Sequence, residues 1–188
     1  WPAFVSKKPC MVESDGIGLK TNAKCGNVKG EDMHGIRLHW YWSTNPQKIR
    51  FALNEMGLAY SLEFIDLRVG AQKEPAFLKL NPRGKVPVLE VDDVVLWESG
   101  AALLYLAQRE QKLWPRQEKL KGQALSLMFM ESAAFQDVAG VHYYQKFIRP
   151  RFLGKEPDQQ AIDAVEKKGN RLLATLDGVL GEREWLIG

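Results

Sequence analysis

Two short polar runs carry the groups in this sequence that could do chemistry. The first is Ser43-Thr44-Asn45-Pro46, which follows an aromatic segment, and the second is Glu98-Ser99, which follows an apolar one. Ser, Thr and Asn are preferred N-cap residues and proline is favoured at the first helical position, so each run predicts the start of a helix. Because a helix N-terminus favours negative charge, hydroxyl and backbone N–H donors at these two places could bind anionic groups.

The segment that contains both runs has the pattern of an α/β unit. A first strand is predicted by apolar residues that alternate with more polar ones, Ile36, Leu38, Trp40 and Trp42 against Arg37, His39 and Tyr41. Helical spacing follows and ends at Gly57. The full predicted order is strand, helix, strand, helix, strand, strand and helix, at 36–42, 46–56, 62–67, 70–80, 86–91, 94–97 and 99–107. A parallel βαβ unit followed by ββα predicts a thioredoxin-like domain.

The rest of the chain shows helical patterns only. We expect a long helix that includes Leu120 and Phe135, a loop over residues 147–157 and a second helix over residues 158–180. The predicted organisation is a thioredoxin-like domain at 35–111, a linker at 112–116 and an incomplete all-α domain at 117–188. Two long helices cannot close a core by themselves, so we expect further helices beyond residue 188 and a poorly soluble or inactive chain without them.

Residues 1–34 show no helical or strand period and predict an unstructured or non-native leader. Met33 stands immediately before the first patterned segment and is the predicted natural start. Gly16-Ile17-Gly18 could belong to a phosphate loop, but a third glycine, a preceding strand and a following helix are missing. The segment also lacks the apolar centre of a signal peptide.

Composition excludes several classes of function. The net charge is +3, from 26 basic and 23 acidic residues that are interleaved, which argues against nucleic-acid binding. No run approaches the roughly 18 apolar residues of a membrane helix. Two cysteines, Cys10 and Cys25, do not make a disulfide framework and favour a reducing cytosol. The three histidines, His34, His39 and His142, lack ligand spacing, so no metal site is expected.

Four segments resemble the soluble glutathione transferases, closest to the phi-like and related bacterial serine-type forms. They are Ser43-Thr44-Asn45-Pro46-Gln47-Lys48-Ile49, Gln72-Lys73-Glu74-Pro75-Ala76-Phe77-Leu78, Asn81-Pro82-Arg83-Gly84-Lys85-Val86-Pro87-Val88-Leu89 and Trp97-Glu98-Ser99-Gly100. The last two are strong signals together. The resemblance spans residues 36–188 and is weakest after Pro115.

This resemblance implies a cytoplasmic homodimer that uses glutathione as co-substrate and activates its thiol to attack a hydrophobic electrophile. Ser43 would be the catalytic residue, donating to the thiolate; Thr44 and Asn45 are adjacent alternatives, and Ser43 could instead only cap the helix. Lowering a thiol pKa of about 8.5 by about two units takes about 2.7 kcal/mol. A helix N-terminus supplies about 0.3–1 kcal/mol and a hydroxyl bond to a charged acceptor about 1.5–3, which suffices together. The absence of cysteine at this loop argues against the thiol-transfer members of the family.

The resemblance also implies three groups of glutathione-binding residues. Val86 would pair its backbone with the cysteinyl part, beside Pro87, which matches the family's cis-proline. Glu98 and Ser99 would hold the γ-glutamyl end, where the carboxylate accepts from the α-ammonium. The glycyl carboxylate would be held by Gln72, Lys73 and Lys85. The same residues could also be a bent strand start, a helix cap with a solvated acid, and ordinary surface lysines.

Two rival functions stay open on the sequence alone. One is a non-catalytic interaction module, a role that the same fold has in translation factors and stress proteins. The other is a glutathione-dependent isomerase or peroxide reductase that uses the same first site. A second substrate would lie between the two domains, near candidates that are equally compatible with an ordinary core, namely Phe135, His142, Tyr143 and Tyr144.

Overall fold

The structure, a computed structural model, describes residues 35–187. The predictions made for residues 1–34 lie outside this range: the leader, Met33 as the natural start, the Gly16-Ile17-Gly18 segment, Cys10, Cys25 and His34.

The first half of the described chain has the predicted order of elements. They are β1 (Ile36–Trp40), α1 (Thr44–Met56), β2 (Ser61–Phe64), a 3-10 turn (Ala71–Lys73), α2 (Pro75–Leu80), β3 (Val88–Val91), β4 (Val94–Leu96) and α3 (Ser99–Glu110). The sheet order is β2-β1-β3-β4. Strand β1 is parallel to β2 and antiparallel to β3, and β3 is antiparallel to β4. This mixed sheet with its helices, followed by a helical part, confirms the predicted thioredoxin-like fold class.

Several strand ends differ from the predicted ones, since β2 runs over Ser61–Phe64 and not over 62–67, and β4 ends at Leu96 and not at residue 97. Strand β1 stops at Trp40, because its pairing with β2 ends at Trp40 opposite Phe64. Strand β3 begins at Val88 and not at residue 86, since Pro87 has no N–H to contribute to a ladder. Gly57 ends α1 with φ 71°, as predicted, in the left-handed region where glycine is favoured.

Buried residues lie on both faces of the two central strands, β1 and β3. On one face, α1 and α3 pack on β1 and β3 around fully buried leucines and an isoleucine, Leu38, Ile49, Leu53, Leu89 and Leu106. On the other face, Phe77 of α2 packs against Ile65 and Val88. The two-residue alternation of β1 therefore does not separate a buried face from a solvent face.

His39 shows the consequence of this second layer. The alternation pattern places it on the polar side of β1, yet it is only 6% exposed. The Phe77 ring meets it edge-on, with ring centroids 6.0 Å apart. Its Nε2 lies 2.6 Å from Oε1 of Glu90 on β3, which partners one polar atom of this buried ring.

The second half of the described chain is helical. Its elements are α4 (Glu118–Met130), a first π-helical turn (Glu131–Phe135), α5 (Gln136–Tyr143), a second π-helical turn (Tyr144–Ile148), α6 (Arg149–Phe152) and α7 (Gln159–Leu180). The predicted loop over 147–157 is thus wrong in its first part. Pro150 lies in the first turn of α6, where a missing N–H is tolerated, so helix continues to Phe152.

Helices α5 and α7 approach each other closely. A Cβ atom at Gly169 of α7 would lie 3.1 Å from Cγ1 of Val138, so glycine permits this contact. Between α3 and α4, residues 111–117 form no helix or strand, and the domain boundaries proposed from the sequence in this region stay a prediction. None of the helices described between residues 35 and 187 is both long and apolar enough to cross a membrane.

Candidate functional site

Ser43 lies where β1 gives way to α1. It is the N-cap of α1, with extended backbone angles of φ −129° and ψ 166°. Its side chain is partly buried and makes no capping hydrogen bond to the helix. The alternative that Ser43 serves as a side-chain cap is therefore not supported, because the hydroxyl is not engaged by the backbone it would cap.

The two adjacent alternative donors differ from Ser43. Thr44 is exposed and is already the first residue of α1. Asn45 is partly buried, and its side-chain oxygen has no hydrogen-bond partner among residues 35–187. An amide oxygen can only accept, so this unpaired atom is unsuited to stabilise a thiolate, although the amide NH₂ group of the same side chain could donate.

A buried asparagine braces the loop before β3. The Asn81 side chain donates from Nδ2 to the Lys85 carbonyl oxygen at 2.6 Å and accepts at Oδ1 from the Arg83 backbone N–H at 3.0 Å. Its own carbonyl accepts from the Gly84 N–H at 2.9 Å. The sequence indicated only a turn here, and its clue was the Asn-Pro start of that turn. The loop that carries Lys85 and Val86 is thus held from inside.

The Val86–Pro87 peptide bond is cis, as the resemblance implies. Pro87 is buried and Val86 is partly buried, directly before β3. Gly84 has φ 59°, and a Cβ atom there would lie 3.0 Å from the Gln72 carbonyl oxygen. This close approach brings the 3-10 turn and the loop before β3 together, so Gln72 and the loop that carries Lys85 are neighbours.

The three residues predicted to bind the glycyl end of glutathione differ in how exposed they are to solvent. The Gln72 side-chain oxygen is buried, with no hydrogen-bond partner in the described part of the chain. Lys73 and Lys85 are both exposed. The unpaired amide oxygen is an acceptor and does not itself suit a carboxylate ligand; the donors available to a carboxylate in this group are the Gln72 NH₂ group and the two exposed ammonium groups.

The Glu98–Ser99 pair begins α3 in a different way from the one predicted. Glu98, not Ser99, is the N-cap, and Ser99 is the first helical residue. Helix α3 therefore starts one residue earlier than a Ser99 cap requires, and Ser99 presents a first-turn N–H. The Arg83 guanidinium donates to Oε1 of Glu98 in a half-exposed ion pair. Sequence reasoning missed Arg83 as a partner, although it lies inside the motif that carried the resemblance.

The helical part reaches the start of α1 through two polar contacts. The Tyr143 hydroxyl at the end of α5 donates to the Trp42 carbonyl oxygen. Lys48 of α1 donates to both carboxylate oxygens of Glu131, at 3.0 and 3.1 Å, and Gln136 donates to the same carboxylate at 2.6 Å. The contacts involve Glu131 in the first π-helical turn and Tyr143 directly before the second, and such turns occur frequently at functional sites.

The four candidates for the wall of a second site are not grouped together. Tyr143 contacts the peptide next to Ser43, whereas His142 has its Nε2 at 3.5 Å from Oε1 of Glu166 on α7. Tyr144 is 44% exposed, and Phe135 is partly buried in the first π-helical turn. Tyr143 is thus the one of the four with a hydrogen bond to the segment around Ser43. No cluster of metal-ligating side chains occurs among residues 35–187.

Burial raises the pKa of the Tyr143 phenol, and the nearby Tyr41 phenol adds to the rise. The pKa of Tyr41 is also raised, mainly by desolvation. Both groups therefore stay protonated at neutral pH and remain donors.

Comparison with known proteins matches this chain to a family profile and to individual relatives. The family profile described as glutathione S-transferase, N-terminal domain, matches residues 42–109. The chain is 33% identical over 150 residues to glutathione S-transferase GstB of Escherichia coli, covering 78% of this chain and 71% of GstB.

Solved structures agree with this result. Glutathione transferase F7 from Populus trichocarpa has a TM-score of 0.75 at 29% identity, covering 81% of this chain and 74% of F7. A glutathione transferase family member from Pseudomonas fluorescens with two glutathione bound has a TM-score of 0.70 at 26% identity, covering 82% and 70%. The segment that matches the family profile includes every residue of the candidate site from Ser43 to Ser99.

Proposed function

The chain belongs to the glutathione S-transferase family, and from this premise we propose that it binds glutathione and activates the thiol for attack on a hydrophobic electrophile. The relative from Pseudomonas fluorescens that has glutathione bound supports glutathione as the ligand. In this proposal the thiol releases its proton to solvent, and the thiolate forms a sulfur–carbon bond with the electrophile. Where the electrophile carries a halide, that halide leaves with the electron pair of the bond that breaks.

The observation that carries the proposal is the position of Ser43 and the lack of a capping hydrogen bond to its hydroxyl. Its hydroxyl stands at the N-terminus of a 13-residue helix, partly buried, and is not used as a cap. A hydrogen bond to a charged acceptor contributes about 1.5–3 kcal/mol, and the helix N-terminus adds about 0.3–1. The sum covers the roughly 2.7 kcal/mol needed to lower a thiol pKa by about two units. No general base is required.

The rest of the tripeptide is assigned to three neighbouring places. The cysteinyl backbone pairs with Val86 beside Pro87, and the γ-glutamyl end lies at Glu98 and Ser99. Gln72, Lys73 and Lys85 hold the glycyl carboxylate. Support for the last group comes from the contact between Gly84 and the Gln72 backbone, which joins the two segments that carry it.

In the protein without glutathione, another cation already occupies the carboxylate that would bind the γ-glutamyl end. The Glu98 carboxylate that would accept from the α-ammonium already accepts from Arg83. Both side chains are about half exposed, and an exposed ion pair of this kind contributes only about 0–1 kcal/mol. The α-ammonium could therefore join or replace the guanidinium at little cost.

We also propose that the protein acts as a homodimer in the cytoplasm. The family resemblance supports the dimer, and the use of only two cysteines in the chain is consistent with a reducing compartment. Light scattering coupled to size-exclusion chromatography of the full chain tests the first statement, and cell fractionation tests the second. A monomer at micromolar concentration would count against the dimer.

The test of the activity uses a glutathione-affinity column followed by conjugation of chlorodinitrobenzene. We expect the full-length protein to be retained and active, and we expect Ser43→Ala to lower kcat by about 10- to 100-fold, the equivalent of one hydrogen bond to a charged acceptor. The KM for glutathione should change less than about threefold. Because Ser43 makes no capping bond, thermal stability should be nearly unchanged. Thr44→Ala is the matched comparison: if it alone abolishes turnover, the donor is Thr44.

Two other outcomes assign the rival functions. Retention on the column without conjugation of any electrophile, or no retention, would favour a non-catalytic interaction module. Turnover of peroxides or of isomerisable substrates in place of chlorodinitrobenzene would favour the glutathione-dependent isomerase or peroxide reductase.

A further inference from the structure

The peptide that joins Trp42 to Ser43 is hydrogen-bonded on both sides. Its N–H, which belongs to Ser43, donates to the Tyr41 carbonyl oxygen at 2.7 Å. Its carbonyl, which belongs to Trp42, accepts from the Tyr143 hydroxyl. A peptide unit is planar, so fixing both of its polar ends fixes the direction in which the next residue leaves it. The next residue is Ser43.

We propose that Tyr143 is the positioning residue of Ser43: its hydroxyl holds the Trp42–Ser43 peptide so that the serine hydroxyl points at the glutathione sulfur. The inference rests on the proposed function and assigns to it a residue that is 101 positions from Trp42 in the sequence. Ser43 itself has no capping bond that would fix its side chain. The orientation of its hydroxyl therefore depends on the backbone before it.

The surroundings of Tyr143 keep its hydroxyl in place. Its ring stacks on Phe147, with centroids 5.1 Å apart and planes 19° apart, which limits rotation of the side chain. Desolvation and the Tyr41 phenol both raise the pKa of Tyr143, so the hydroxyl donates throughout the neutral range. The neighbouring polar side chains on its own helix segment face another residue, since His142 and Lys146 both contact Glu166 of α7, at 3.5 and 3.0 Å.

Because of the location of Tyr143, this contact also connects Ser43 to the helical part of the protein. Tyr143 is the last residue of α5, immediately before the second π-helical turn. A π-helical turn inserts an extra residue into a helix and changes the direction of the side chains that follow. The hydroxyl bond thus links the geometry of the thiol-activating serine to the helical part of the protein, where the second substrate is proposed to lie.

The test compares Tyr143→Phe with Tyr60→Phe in the full chain. Tyr60 is a suitable control because its hydroxyl donates to Asn54 at 3.2 Å, near the end of α1 that is far from Ser43. We measure kcat and the KM for glutathione, and we titrate the thiol of bound glutathione by its ultraviolet thiolate absorbance. Thermal unfolding shows that both variants are folded.

We expect Tyr143→Phe to lower kcat about fivefold and to raise the pKa of the bound thiol by about 0.7 of a unit, the loss expected for one neutral hydrogen bond. The KM for glutathione should stay within about twofold, and Tyr60→Phe should leave both quantities unchanged. In a Ser43→Ala background, Tyr143→Phe should raise the thiol pKa no further, because Tyr143 acts through Ser43.

Each other outcome overturns the inference. An active wild-type chain with an unchanged thiol pKa in Tyr143→Phe removes Tyr143 from the role, as does an effect that persists in full without Ser43. An equal effect of Tyr60→Phe would show general loosening of α1. If the wild-type chain neither binds glutathione nor conjugates an electrophile, the proposed function fails first and the role of Tyr143 fails with it.

Discussion

Replacing Asn81 with alanine should both destabilise the fold and weaken glutathione binding. Asn81 is fully buried, and its side chain makes two hydrogen bonds, to the Lys85 carbonyl oxygen at 2.6 Å and from the Arg83 N–H at 3.0 Å. Alanine removes both bonds and leaves the backbone groups at the two ends of the loop without these partners. Lys85 and Val86, which are proposed to bind glutathione, lie in this loop, and Pro87 follows it directly.

The size of the effect follows from those two bonds. A typical intramolecular hydrogen bond contributes about 0.5–1.5 kcal/mol net, and leaving a buried partner unpaired costs about 1–3. Arg83 and Lys85 are exposed side chains on a surface loop, so water can reach part of the freed backbone. We therefore expect a loss of about 2–3 kcal/mol in the free energy of unfolding. For a chain of this length that lowers the Tm by roughly 4–12 °C.

The assay combines thermal unfolding with steady-state kinetics. Asn170→Ala is the matched control, because Asn170 is exposed on α7 and its replacement should change stability by less than about 0.5 kcal/mol. We expect Asn81→Ala to raise the KM for glutathione more than it lowers kcat, since the loop carries binding residues and not Ser43. An Asn81→Ala variant as stable as the control, with an unchanged KM, would refute the reasoning.

Two further predictions concern the segments around the site. Gly84→Ala should destabilise the protein by about 1–3 kcal/mol, because φ is 59° and the new Cβ would meet the Gln72 carbonyl oxygen at 3.0 Å. Gly122→Ala, in an exposed part of α4 with open space at Cβ, should instead stabilise it by about 0.5–1 kcal/mol. Urea unfolding measures both changes, and a change of the same sign in both variants contradicts this prediction. The hydrogen bond from Arg68 lowers the pKa of Asp66. The stabilisation from this ion pair is therefore present above the usual carboxyl range of about pH 4 and is lost as the pH falls below it. The Tm of the wild type should converge on that of Asp66→Asn in acid. Parallel curves of Tm against pH for the two proteins would exclude the effect.

Local sequence signals predicted most of the element order. Alternation over residues 36–42, the cap-forming run at Ser43 and the glycine at position 57 each act within a few residues. The structure places β1 and α1 there and ends α1 at Gly57, although β1 stops at Trp40. The error at residues 147–157 has a local cause too. Two prolines and a glycine, Pro150, Pro157 and Gly154, predict a loop, but Pro150 lies in a first turn that follows a π-helical turn, where its missing N–H is tolerated.

Burial could not be predicted in the same way. The alternation of β1 predicts one buried face, and His39 falls on the other, yet His39 is buried because α2 covers that face with Phe77. The pattern of a strand records the polarity of its own side chains and not which helix will cover them. Glu90 can be identified as the partner of His39 only from the pairing of β3 with β1.

The sequence by itself determined which residue types stand at the starts of α1 and α3 and in the turn before Pro87, because caps and turns depend on contacts between residues a few positions apart. The tertiary structure decided how those residues are held. It placed Arg83 on Glu98, Gly84 against Gln72, and Tyr143 on the peptide before Ser43. These contacts join distant parts of the chain, and they form only when the packed sheet and helices bring those parts together.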